Sequence, residues 1–107
     1  MTELALHVLL ALGTGPSHGY AIGKDVAERS AGRLDPNTGA LYQVLKRLLE
    51  QGLIAAAAPP ADDSGDARRK YFALTRAGRA AAADELARLD RIVKTGRDRR
   101  LHRAGSR

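Results

Sequence analysis

Residues 37–54, NTGALYQVLKRLLEQGLI, constrain the fold most, because their pattern predicts an amphipathic helix with an unusual solvent face. The apolar residues recur at intervals of three and four, so they share one side of a helix. They are Leu41, Val44, Leu45, Leu48 and Leu49. The other side carries Gly39, Tyr42, Gln43, Lys46, Arg47 and Glu50. Glu–Lys pairs are the common content of a helix surface, so this face needs a separate explanation.

The ends of this helix are marked by residues that start and stop helices. Asp35 is a suitable N-cap and Pro36 a suitable first helical residue. Gly52 is a stop signal after the last turn. We therefore predict a helix over residues 35–51.

Two further helices are predicted before it. Residues 4–12 are apolar almost all round, which is typical of a buried helix. Ser17 is positioned to cap a second helix over residues 18–30. Gly32 is the signal that ends this helix. Two helices joined by a short connection, the second with a polar outer face, are typical of a helix-turn-helix.

The second half of the chain predicts a β-hairpin and one more helix. The runs LIAAAA and RRKYFALT flank a polar loop with Pro, Gly and three Asp, although four alanines are weak strand formers. Thr75 caps a last helix, along which Ala82, Leu86, Leu89 and Val93 form a short apolar stripe. Two alternatives are open for this stripe: it packs on the first helix of its own chain or on a partner. The fold class is therefore mostly α with a β-hairpin wing. It comprises a winged helix-turn-helix over residues 1–75, a dimerisation helix over residues 76–95 and a basic flexible tail over residues 96–107.

Composition limits the class of protein. The 107 residues include no cysteine, which excludes disulfides, thiolate catalysis and cysteine-based zinc sites. No apolar run reaches the ~18 residues of a membrane span, so we expect a cytoplasmic protein with no membrane contact. Alanine supplies 20 of the apolar residues, whereas Leu, Ile and Val together number 22. Such a thin core predicts burial against a second copy.

The charge is concentrated at the C-terminus. The net charge is +6, and residues 94–107 contribute six basic groups and one acid. The other 93 residues hold 12 basic and 11 acidic groups (18 − 6 and 12 − 1). A basic balance favours a polyanionic partner. In the folded part, however, a DNA-binding surface has to come from the arrangement of charges.

The outer face of the predicted third helix has the chemistry of a DNA-recognition helix. Gln43 can pair with adenine in bidentate fashion, while Lys46 and Arg47 can reach guanine or phosphate. Tyr42 offers a hydroxyl, and Gly39 would let the helix approach the DNA backbone closely. The alternative is that Gly39 lies in a frayed first turn and that the cations are only solvated.

Three blocks of the sequence resemble the signatures of the PadR family of transcriptional regulators. They are HGYAI at 18–22, TGALYQVLKRLLEQGLI at 38–54 and RRKYFALTRAGR at 68–79. The single helix after the wing is similar to the smaller subgroup of that family. The chain departs from the pattern at Ala40, where the family usually has Thr, and at Gln43, where Pro is common.

The resemblance implies a homodimer in which the last helix embraces the N-terminal helix of the partner, with DNA contacts from three elements. The implied DNA-binding residues are Tyr20, Asn37, Thr38, Gly39, Ala40, Tyr42, Gln43, Lys46, Arg68, Arg69 and Lys70. The implied dimer-interface residues are Leu6, Leu10, Ala82, Leu86, Leu89 and Val93.

We therefore predict a sequence-specific regulator that binds double-stranded DNA, a homodimeric repressor acting on a palindromic operator. The alternative is a winged helix that serves as a protein-interaction module without DNA binding. No catalytic constellation is present, so neither an enzyme nor a cofactor is expected. An effector remains unidentified, and the absence of Trp argues against a sandwiched aromatic ligand.

Metal binding is not expected either. His7, His18 and His102 lack metal-ligand spacing, and we assign His7 to the core and His18 to a helix start. The aspartates at 62, 63 and 66 lack the full calcium-loop pattern and are predicted to keep the wing tip soluble.

Overall fold

The structure is a computed structural model, which describes residues 1–61 and 69–103. The chain forms, in order, α1 (Glu3–Ala11), β1 (Ser17–His18), α2 (Gly19–Arg29), α3 (Thr38–Glu50), β2 (Ile54–Ala57), β3 (Tyr71–Leu74) and α4 (Arg76–Asp98). This order confirms the predicted winged helix-turn-helix followed by one long helix. No helix in the described part of the chain is both long enough and apolar enough to cross a membrane.

One apolar core joins the three N-terminal helices to the sheet and to the start of α4. Its buried members are Leu6, Val8, Leu9, Leu12, Ile22, Val26, Leu41, Leu45, Leu48, Ile54, Phe72 and Ala82. The predicted apolar side of α3 is buried except at its edges, because Val44 is only partly covered and Leu49 is exposed. The stripe on α3 is therefore narrower than the sequence pattern indicates.

Helix α3 begins later than predicted. Its N-cap is Asn37, whose side-chain Oδ1 accepts a hydrogen bond from the Ala40 N–H at 2.8 Å. The backbone of Asn37 is still extended, and Pro36 disfavours a helical conformation for the residue before it. The prediction that Asp35 caps the helix and that Pro36 begins it was therefore wrong by two residues.

The start of α2 also differs from the prediction, because Ser17 and His18 form a strand. They pair antiparallel with β3, Ser17 opposite Phe72 and His18 opposite Tyr71, so the sheet has the order β1-β3-β2. The cap of α2 is His18, whose Nδ1 accepts from the Ala21 N–H at 3.4 Å. A two-residue strand has no periodicity to read, so only the tertiary pairing defines it.

Helix α4 is fixed at its start by Thr75. As predicted, this residue is the N-cap, with Oγ1 2.9 Å from the Gly78 N–H, and it also donates to the Gly52 carbonyl at 2.7 Å. A Cβ on Gly78 would lie 1.9 Å from the Leu53 carbonyl oxygen, so the helix packs there through bare backbone. At its other end α4 continues to Asp98, three residues beyond the predicted end of the helix.

The predicted core residue His7 instead takes part in a polar link between α1 and α2. Its Nδ1 lies 2.9 Å from Arg29 Nη1, and Arg29 Nη2 donates to the His7 carbonyl oxygen at 2.8 Å. Arg29 also pairs with Asp25 through Nε at 2.8 Å. Since a guanidinium only donates, His7 Nδ1 is the acceptor. This half-buried histidine thus joins two helices through hydrogen bonds.

Candidate nucleic-acid interface

The outer face of α3 is exposed, although the ring of Tyr42 also packs on Gly19 of α2. Its first turn and its middle expose the residues predicted to contact DNA: Thr38, Gly39, Ala40, Tyr42, Gln43 and Lys46. The helix is held from behind by Leu41, Leu45 and Leu48, all nearly fully buried. A rigid helix that displays an amide, a hydroxyl and an ammonium group can reach both base edges and phosphates.

Two residues at the start of α3 have distinct local roles. The Asn37 side-chain Oδ1 accepts the capping hydrogen bond, which leaves the amide NH₂ group to donate to another partner. A Cβ on Gly39 would find ordinary space, with its nearest neighbour, Asn37 Oδ1, at 3.5 Å. Nothing in the described part of the protein therefore requires glycine at position 39.

Tyr42 connects α3 to the start of α2. A Cβ added to Gly19 would lie 2.4 Å from the Tyr42 hydroxyl oxygen and 2.9 Å from Cζ, so the phenol ring lies directly on this glycine. The Tyr42 side chain remains 42% exposed, and the neighbouring Tyr20 is 75% exposed. These two predicted DNA-binding residues therefore lie together, one from each helix of the helix-turn-helix.

The strand register brings the wing to the same place. Because β1 runs antiparallel to β3 with His18 opposite Tyr71, the residues just before β3 lie beside the first turn of α2. A cleft of ≈ 360 Å³ results, lined by His18, Gly19, Tyr20, Tyr42, Arg69 and Lys70. None of these lining residues carries a carboxylate, so the cleft favours an anion. Arg68, also predicted to contact DNA, lies outside the described residues.

A second cleft separates the first half of α2 from the start of α3. It has a volume of ≈ 430 Å³, and Tyr20, Lys24, Thr38 and Tyr42 are among the residues that line it. Tyr20 and Tyr42 thus border both clefts, which makes the surface continuous. Lys24 was not predicted from the sequence as a site residue, although it follows Tyr20 by four residues and so shares its side of α2.

Arg47 belongs to a different surface. Together with Met1, Ala5 and Val44 it lines a groove of ≈ 700 Å³ between α1 and the C-terminal half of α3. It therefore lies apart from the cluster around Tyr42, whereas Lys46 remains on the exposed outer face.

The residues predicted for the dimer interface fall into two groups. Leu6 and Ala82 are buried in the core of their own chain, so the monomer already covers these two predicted interface residues. Leu10, Leu86 and Val93 are exposed, and Leu89 is partly buried against the core. Ile92, missed by the sequence analysis, is 55% exposed three residues after Leu89.

Metal ligands do not gather in residues 1–61 and 69–103, where no three His, Asp or Glu side chains form a possible site. The aspartates at 62, 63 and 66 lie outside these ranges.

Comparison with known proteins gives one family. The profile described as "Transcriptional regulator PadR-like family" matches residues 8–84, which is more than half of the chain. An uncharacterized 37.1 kDa protein in transposon TN4556 of Streptomyces fradiae is 43% identical over 72 residues. That match covers 67% of this chain but only 19% of the relative, so the chain spans about a fifth of that protein's length.

Solved structures share the fold. A PadR family transcription regulator from Clostridium difficile R20291 is 25% identical, with a TM-score of 0.76 over 91% of this chain and 97% of that one. Bacillus subtilis PadR in complex with operator DNA is 24% identical, with a TM-score of 0.67 over 79% of this chain and 47% of that one. At that identity the second comparison supports the fold alone.

Proposed function

This chain belongs to the PadR-like family of transcriptional regulators, and from that premise we propose that it is a homodimeric repressor that binds a palindromic operator in double-stranded DNA. The proposal rests chiefly on one observation. The exposed face of α3, the start of α2 and the wing cations meet around Tyr20 and Tyr42 in a continuous surface. Bacillus subtilis PadR, which shares this fold, is in complex with operator DNA, and we propose the same kind of partner for this chain.

In the proposed complex the first half of α3 enters the major groove. Gln43 reads a base edge through its amide, and Ala40 offers a methyl group that suits contact with a thymine methyl. Tyr20, Tyr42 and Lys46 hold phosphates along the groove wall, while Arg69 and Lys70 reach the adjacent backbone. Phosphate contacts fix the position of the protein, and the base contacts supply the specificity.

The proposed dimer is supported by the apolar residues that α4 leaves uncovered. Leu86 and Val93 are 43% and 50% exposed, and exposed apolar rows of this kind mark interaction surfaces. Two-fold symmetry would place two recognition helices on half-sites one helical turn, or a multiple of it, apart. Repression then follows from steric occlusion of a promoter, and an effector would act by disfavouring the DNA-competent dimer.

Selection of bound sequences from random duplex DNA tests the proposal directly. We expect enrichment of a palindrome, and the affinity for it should fall linearly with salt on a log–log plot. Absence of any salt-dependent binding to duplex DNA would contradict DNA binding and favour a protein-interaction module. Enrichment of a single half-site would contradict the dimer but not DNA binding.

A further inference from the structure

We infer that the cleft between the start of α2 and the wing binds one backbone phosphate of DNA, and that His18 donates to this phosphate as a neutral histidine through Nε2–H. This inference rests on the proposed DNA-binding function and adds to it a residue and a protonation state. From the sequence His18 is predicted only to lie at a helix start, with no ligand contact.

The tautomer of His18 follows from its position as the cap of α2. The Ala21 N–H donates to His18 Nδ1 at 3.4 Å, so Nδ1 has to present a lone pair. A neutral imidazole with an acceptor at Nδ1 carries its proton at Nε2. The cap therefore leaves the ring one N–H group to donate elsewhere.

The orientation of the ring is set by the wing. The ring centroids of His18 and Tyr71 are 5.3 Å apart with an interplanar angle of 79°, which is an edge-to-face contact. Both residues lie in paired strands, β1 and β3. The imidazole is thus held at three places, by its backbone pairing, its cap and its aromatic neighbour.

The surroundings of the ring suit a phosphate. His18 lines the cleft of ≈ 360 Å³ together with the phenols of Tyr20 and Tyr42 and the cations of Arg69 and Lys70. Gly19 and Tyr20 are the first two helical residues, and N–H groups in a first helical turn have no intrahelical acceptor. A phosphodiester supplies the one negative charge and the several acceptor oxygens that such a set of donors needs.

The experiment uses two substitutions that separate the two nitrogens of the ring. His18→Asn retains an acceptor close to the position of Nδ1, so the cap persists while the distal donor is lost. His18→Gln retains a donor close to the position of Nε2 and loses the cap. We expect His18→Asn, which loses the ring contact with Tyr71 but keeps the cap, to melt above His18→Gln. It should bind the selected operator about three- to tenfold more weakly per subunit, the range of one neutral hydrogen bond. His18→Gln should melt at a lower temperature yet bind more tightly than His18→Asn.

Salt dependence tests the protonation state with Lys70→Gln as the matched comparison. A neutral donor displaces no counterion, so His18→Asn should leave the slope of log affinity against log salt unchanged. Lys70→Gln should reduce that slope by about 0.9 per subunit. A flatter slope for His18→Asn would overturn the neutral assignment, and so would an Nδ1–H tautomer for His18 in ¹⁵N NMR of the free protein.

Different results would contradict the proposed function and the His18 contact. Lack of duplex binding by the unmodified chain would overturn the proposed function itself. Operator binding by the unmodified chain that His18→Asn does not weaken would overturn only the phosphate contact of His18.

Discussion

Gly39→Ala should make the protein more stable and its DNA complex weaker. Gly39 is the second residue of α3, and an added Cβ would meet only Asn37 Oδ1, at an ordinary 3.5 Å. Alanine is favoured over glycine inside a helix by up to about 1 kcal/mol. For a domain of this size, each kcal/mol raises the melting temperature by about 4–8 °C. The free protein should therefore melt a few degrees higher.

The same methyl group would point at DNA if α3 is the recognition helix. Loss of one hydrogen bond to phosphate per subunit is about 1 kcal/mol, which corresponds to roughly fivefold per subunit and roughly 30-fold for a symmetric dimer. Thermal melting and titration of fluorescent operator DNA measure the two effects separately. Gly96→Ala in α4 is the matched control, since Gly96 also has open space for a Cβ. It should raise stability without weakening operator binding, provided that sedimentation shows an unchanged dimer.

A more stable Gly39→Ala protein with undiminished operator affinity would refute the reasoning. The glycine would then serve neither the fold nor the approach to DNA, and the first turn of α3 would not lie against the groove.

Five other expectations can be checked. Leu86→Asp should dissociate the dimer while leaving the chain folded, because this side chain lies outside the monomer core; a Leu86→Asp dimer in sedimentation would contradict the interface. Gln43→Ala should lose about 1–3 kcal/mol on the operator and relax preference at one base pair per half-site. Tyr42→Phe should instead weaken binding to all duplexes alike, by about 1 kcal/mol per subunit. Titration of both variants with a panel of single-base operator changes checks this. A uniform loss for Gln43→Ala or a base-specific loss for Tyr42→Phe would contradict these roles. Gly78→Ala should destabilise the fold by about 1–3 kcal/mol or more by overpacking, and denaturant titration showing no loss would mean that the helix can shift away. Removal of residues 99–107 takes away four arginines. The slope of log affinity against log salt should therefore flatten, while the ratio of operator to random-sequence affinity stays the same. A collapse of that ratio would mean that the tail reads bases or DNA shape.

The sequence alone determined the elements whose apolar period is long enough to read. Helix α3 is the clearest case, because leucines at intervals of three and four specify which side is buried. The cap of α4 at Thr75 was also readable, because a threonine before an apolar-periodic segment has a specific local hydrogen bond to make. These features depend on interactions within a few residues of each other.

N-cap positions were harder to predict from the sequence where several residues that can cap a helix lie close together. Asp35, Asn37 and Ser17 all have side chains that can cap a helix. The choice of Asn37 for α3 and of His18 for α2 depends on the backbone around Pro36 and on the pairing of β1. Local preference narrows these ends to a few residues, and the tertiary structure selects among them.

Only the tertiary structure decided how the candidate interface is assembled. The cleft exists because a two-residue strand pairs with β3 and so brings Lys70 of the wing beside the start of α2. Gly19 is needed there because the ring of Tyr42, 23 residues further along the chain, occupies the space of its side chain. Local sequence preferences determine which segments are helices and which faces are polar. The distances between residues far apart in sequence depend on packing and strand register, and these are properties of the whole fold.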